Sequence, residues 1–182
     1  MIDLDGTIYQ TLDLKERAWH ATSSNTRSVG VEIANIGTFD DPTTGRAAEW
    51  YQRDASGQRR IVVPDDGSGT GIRSNTMTLR PARPQPVQGM VQGQNLQQYD
   101  FTPQQYESLI KLTAALCKTF PKLKCDYPRG ADGTLVREKL PDKTLELYQG
   151  VLGHYHIQSN KVDPGPAMNW EKVIGEARRL MK

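Results

Sequence analysis

Between Gly153 and Pro166 the sequence reads GHYHIQSNKVDPGP, which brings two of the chain's three histidines, a lysine and an aspartate into one short span. Catalytic zinc sites take three protein ligands from His, Asp, Glu and Cys and keep a position for water. The bound water's pKa falls toward about 7, so hydroxide is available at neutral pH. His154, His156 and Asp163 are the local candidates. On an extended strand His154 and His156 would point to the same side, and both would reach one ion. The competing reading is a polar loop with surface histidines, and residue types alone leave the two open.

The elements that must position this span flank it. Thr102-Pro103-Gln104-Gln105 supplies a capping box with proline at the first helical position. Tyr106, Leu109, Ile110, Thr113, Leu116, Cys117 and Phe120 follow at helical spacing, which predicts a core helix ending before Pro121. A last amphipathic helix is expected from Asn169 to Leu180, with Trp170, Val173, Ile174 and Ala177 facing inward. Between the two, YPRGADGTLVREKLPD reads as a loop with a turn at Asp132-Gly133.

At the front, IDL and TIYQ flank Asp5-Gly6, a hairpin signal of the type I′ class. SVGVEIAN, from Ser28 to Asn35, reads as the next strand. Val29, Val31 and Ile33 share one face, and Gly30, Glu32 and Ala34 share the other. A carboxylate between two small residues marks either a solvated strand face or a group standing in a cleft beneath a substrate. Residues 38–100 change character, with PDDGSGTG and RPARPQPVQGMVQGQ dominated by Pro, Gly, Gln and Arg. Apart from a short strand at Arg60 to Val63, this stretch is expected to be extended and loop-like, a rim on the domain rather than a second core. Strands alternating with helices indicate one α/β domain across residues 1–182.

The composition narrows the function classes. A net charge of +2 over 182 residues and a pI near 8.5 give no basic or acidic face that calls for nucleic acid or a membrane surface. A mean hydropathy of −0.64 comes with no apolar run of the length a membrane helix needs. Two cysteines make no disulfide framework; Cys117 on a helical face reads as a small buried hydrophobe, with a bridge to Cys125 as the alternative.

Four segments, in order, resemble the zinc-dependent N-acetylmuramoyl-L-alanine amidases: DGTIYQTLDLKERAWHA (Asp5 to Ala21), SVGVEIAN, FTPQQYESLIKL and GHYHIQSNKVDPGPAMNW. The proline-rich segment and LQQYDFTPQQY are similar to a larger AmpD-like branch of that family. The resemblance implies an α/β fold with a mixed central sheet flanked by helices. It also implies zinc as cofactor and a peptidoglycan or muropeptide substrate, cut between the lactyl group of N-acetylmuramic acid and L-alanine.

Carried over residue by residue, His154 of the "GH" pair and Asp163 of "DPGP" match metal ligands. Glu32 matches a glutamate that handles the proton of the attacking water, and Lys161 matches a cation beside the developing oxyanion. Trp19 and His20 fall in a motif at the cleft and are candidate substrate contacts, with core packing as the alternative for Trp19. His156 has no ligand role in the family. The family's remaining ligand is a histidine on a strand upstream of the hairpin, so the resemblance implies a chain that begins too late to include it. A peptidoglycan-binding module that does not cleave is the rival implication. Localisation follows the branch: cytoplasmic for a recycling enzyme, periplasmic or secreted if a leader precedes Met1.

Overall fold

A capping box writes the start of a helix into local sequence, and here it sets the longest one. In the computed structural model, which describes residues 1–64, 69–73 and 77–182, helix α2 spans Pro103–Thr119. The Thr102 hydroxyl accepts from Gln105 N, and the Gln105 side chain accepts in return from Thr102 N. Two backbone donors that a helix start would otherwise leave bare are thereby satisfied. The same Thr102 hydroxyl donates to Leu4 O at 2.7 Å, and Ser108 Oγ donates to Gly6 O at 2.5 Å, so the helix start is sewn to the N-terminal hairpin.

Among the described residues three further α-helices follow the chain order: α1 (Gly45–Trp50), α3 (Asp142–Leu147) and α4 (Trp170–Met181). Helix α4 begins where Asn169 Oδ1 accepts from Lys172 N, and buries Trp170, Val173, Ile174 and Ala177 as its periodicity predicts. It packs on α2 around Tyr106, Ile110 and Ala114, with Val91, Phe101, Tyr127, Tyr155 and Met168 completing the main core. Cys117 lies in the buried face of α2; it and Cys125 are free thiols, and burial pushes the Cys117 thiol up to about 11.

The hairpin at the front has a three-residue loop in place of the expected two-residue type I′ turn. Ile2 pairs antiparallel with Ile8, Gly6 N donates to Asp3 O, and positive φ is confined to Gly6. Asp5 Oδ1 accepts from Thr7 N in an Asx turn, and Asp5 keeps a negative φ. The strand expected over 28–35 shrinks to one parallel bridge, Ile2 with Ile33, flanked by the bonds Ile2 N to Glu32 O and Ala34 N to Ile2 O. Residues 28–31 find no ladder among the described residues, and Val29 lies at the surface.

The stretch 38–100, expected to be loop-like apart from a short strand at Arg60 to Val63, carries every named strand among the described residues, and the expected strand appears at Arg59–Ile61. These are β1 (Thr38–Phe39), β2 (Tyr51–Arg53), β3 (Arg59–Ile61), β4 (Val87–Val91) and β5 (Gln94–Gln98). They form an antiparallel three-stranded sheet in the order β1-β5-β4 and a separate β2-β3 hairpin. Tyr51, Ile61, Leu79 and Tyr99 close with Leu4 into a second core cluster, where Tyr51 and Tyr99 stack at 4.1 Å between ring centroids. The molecule is therefore α/β, with its extended pairs antiparallel apart from the Ile2–Ile33 bridge. No helix among the described residues is long and apolar enough to cross a membrane.

Candidate metal centre

The loop from Gly153 to Asn169 folds back on itself because two of its residues leave room. A Cβ on Gly153 would sit 2.7 Å from Pro164 Cδ and press on the Tyr155 and Trp170 rings. Glycine lets the two ends of the loop close, and the closure lays His154 beside Asp163. At the far end Gly165 has φ +85°, and a Cβ there would fall 2.1 Å from Gln98 Oε1. Only glycine meets both demands.

His154 and His156 do not lie on a strand. They begin and end a short 3-10 helix, His154–His156, in which successive side chains turn by about 120°. The two imidazoles therefore diverge. His156 is fully buried: Gly153 N donates to its Nδ1 at 2.9 Å, and its Nε2 donates to Val136 O at 2.7 Å. Both ring nitrogens are committed, and burial pushes its pKa down to about 4, so it stands neutral in the core against Tyr155 and Trp170.

His154 faces the other way. Its side chain is 19% exposed, and its Nδ1 lies 3.0 Å from Oδ2 of Asp163, itself 61% exposed. Its Nε2 lies 2.6 Å from Gln158 Oε1, an amide oxygen that can only accept. The Nε2 proton is thus spoken for, and in the neutral ring a lone pair on Nδ1 is turned toward a carboxylate. Two acceptors in this arrangement call for a cation or a proton between them. A nitrogen and a carboxylate oxygen suit zinc, and a hydrogen bond on the remote imidazole nitrogen is the usual way a histidine ligand is oriented. The pair fits zinc as two of the three protein donors a catalytic site uses. Among the described residues no group of three or more His, Cys, Asp or Glu could hold a metal ion.

Glu32, Trp19 and His20 lie on another segment. Glu32 is exposed, with its backbone carbonyl bonded to Ile2 N, and it forms no three-donor group with His154 and Asp163. Trp19 is 78% exposed, which removes core packing as its role, and the Arg17 guanidinium lies 4.0 Å from the ring centroid. His20 packs beneath the Gly30 backbone and pairs its Nε2 with Ser28 Oγ at 3.2 Å. Lys161 is half-buried and its ammonium makes no ion pair among the described residues.

Sequence reasoning passed over the glutamines. Gln98, buried, donates from Nε2 to Pro164 O at 3.0 Å and Asn35 Oδ1 at 3.3 Å, while its Oε1 accepts from Ala167 N. It ties the segment that ends three residues after Glu32 to the loop that carries Asp163. Beneath the loop, buried Asp100 accepts from Arg83 Nε, the Tyr106 hydroxyl and Phe101 N, and Arg83 also donates to Ala167 O. A buried carboxylate with three donors is a stable anchor. The four-residue spacing of His154 and Gln158 is the one signal in the sequence that could have pointed to a partner of a candidate ligand.

A family model of N-acetylmuramoyl-L-alanine amidases matches residues 1–166, from the hairpin through the Pro-Gly-Pro of the loop. The chain belongs to the N-acetylmuramoyl-L-alanine amidase family. No curated protein and no solved structure matches it. The matched span includes Trp19, His20, Glu32, His154, Lys161 and Asp163.

Proposed function

We propose that this chain is a zinc-dependent amidase that hydrolyses the bond between the lactyl group of N-acetylmuramic acid and L-alanine in peptidoglycan or a muropeptide. The observation that carries the reading is the facing pair His154 Nδ1 and Asp163 Oδ2. These two residues would hold the metal, with its third protein donor outside the groups the described residues form. A bound zinc ion supplies Lewis acidity at the scissile carbonyl and lowers the pKa of the attacking water. Glu32, with an exposed carboxylate, takes the water's proton and returns it to the leaving amine of L-alanine. Lys161, free of an ion-pair partner among the described residues, steadies the negative charge that develops on the carbonyl oxygen. Trp19 offers one face of its ring to the substrate while Arg17 covers the other. His20 lies next to it in sequence and contributes to the same subsite.

A second reading, a module that binds peptidoglycan without cutting it, is favoured by the lack, among the described residues, of a third His, Cys, Asp or Glu grouped with His154 and Asp163. One experiment separates the two. The chain is incubated with a muropeptide and zinc, and peptide release is followed by mass spectrometry alongside His154→Ala and Asp163→Ala. The amidase reading expects release that needs zinc and stops in both variants. Muropeptide bound but left intact would establish the binding module, and release unaffected by both substitutions would refute the metal site.

A further inference from the structure

The turn between β4 and β5 contains an anomaly of residue choice. Val91 pairs with Gln94, which leaves Gln92 and Gly93 as a two-residue loop with φ +52° and +72°. A loop with positive φ at both positions is the type I′ geometry, whose favoured first residue is Asn, Asp or Gly. Glutamine gains none of asparagine's local compensation in the left-handed region. Non-glycine residues held there are concentrated at sites where the surroundings demand that residue.

The surroundings here are the candidate metal loop. Gln92 Nε2 donates to Tyr155 O at 2.8 Å and Gln158 O at 2.9 Å, using both of its hydrogens, with Lys161 O further off at 3.5 Å. Its Oε1 accepts from Lys139 N at 3.3 Å, and its own backbone N donates to Arg137 O at 3.0 Å. The amide is thus held from behind and grips the loop in front. The gripped residue Gln158 in turn accepts from His154 Nε2, and His154 Nδ1 faces Asp163.

From this chain of contacts we infer that Gln92 is a positioning residue for the metal centre. It fixes the backbone of Gln158, whose side chain sets the tautomer and tilt of His154 against Asp163. The inference rests on the reading of His154 and Asp163 as ligands, and it assigns a role at the centre to the β4–β5 hairpin, from which no ligand comes. An asparagine at the turn would suit the backbone better but is one methylene too short to reach the two carbonyls. The longer residue is there for the reach.

Two variants of the full chain test this. Gln92→Asn keeps the turn and removes the reach; Gln92→Glu keeps the length and turns an oxygen toward the carbonyls. Zinc affinity is measured by competition with a chelating dye, and the His154–Asp163 separation in crystals of the metal-free protein. The expectation for both variants is a thermal midpoint near that of the parent, a separation wider than in the parent, and zinc affinity lower by about ten- to hundredfold, the usual effect of removing an outer-shell partner. Parent-like separation in both variants overturns the inference. Parent-like affinity with a widened separation overturns it too, since the grip would then not matter to the metal. Should the parent chain fail to bind zinc, or bind it equally after His154→Ala, the ligand reading falls, and the role of Gln92 in setting the His154 ring is decided by the separation alone.

Discussion

Two segments carry the candidate residues of this chain, and they present them in different ways. The loop from Gly153 to Asn169 is gripped by Gln92, Gln98 and Arg83 and buries the ring of its own His156, which accepts from Gly153 N. The segment from Arg17 to Glu32 is anchored in its middle, where Ala21, Ser24 and Asn25 are buried and Arg27 donates to Leu145 O and Tyr148 O, while Trp19 and Glu32 stand exposed on either side. The difference follows from the chemistry assigned to each. Metal donors must be fixed within about half an ångström, which takes hydrogen bonds from the groups around the loop that carries them. A proton carrier and a substrate platform work from an open face.

The sharpest way to break that comparison is to remove a group from the open segment. Glu32→Ala is expected to leave zinc content and thermal midpoint unchanged and to lower turnover by about 10²- to 10⁴-fold, the range of a lost general base. Full activity in that variant would refute the proton-handling role, and loss of zinc would move Glu32 into the rigid half. A smaller effect is expected at His156, the buried histidine of the loop. Its folded pKa of about 4 lies below the ordinary 6.5, so between those values the unfolded chain binds the extra proton and the folded one does not. The stability tied to the neutral ring is complete above pH 6.5 and is lost as pH falls toward 4, by about 3 kcal/mol in all. Urea unfolding across that window, with the His156 ring followed by NMR, measures it; a ring that titrates near 6.5 would show that the core does not hold it neutral. The smallest effect is expected for Trp19→Ala, a rise in KM of a few-fold with kcat retained, equivalent to about 1 kcal/mol of ring contact. A drop in thermal midpoint instead would make Trp19 structural.

Legibility in the sequence tracked how local each signal was. Helices α2 and α4 follow from Thr102, Gln105 and Asn169 at their starts and from apolar periodicity, all within one or two turns of the chain. The pairing of His154 with Asp163 came through the family resemblance; spacing alone placed His154 and His156 side by side on a strand, and the 3-10 turn sends them apart. Apart from the short strand expected at Arg60 to Val63, which forms at Arg59–Ile61, the strands of 38–100 were hidden by composition. In Gln94–Gln98 four of the five residues are polar, and Gln97 and Gln98 spend their amides on Asp40, Asn35 and Pro164 rather than on solvent. Gln92 had no signature at all, because its partners lie 63 and 66 positions away and glutamine in a turn repeats with no period.

The central claim is that His154, and not its neighbour His156, meets the metal with Asp163. Imidazole nitrogen NMR of the full chain during addition of zinc tests it most directly. The account predicts that the His154 Nδ1 resonance shifts while both His156 nitrogens stay where they were. A shift at His156, or none at His154, would contradict it.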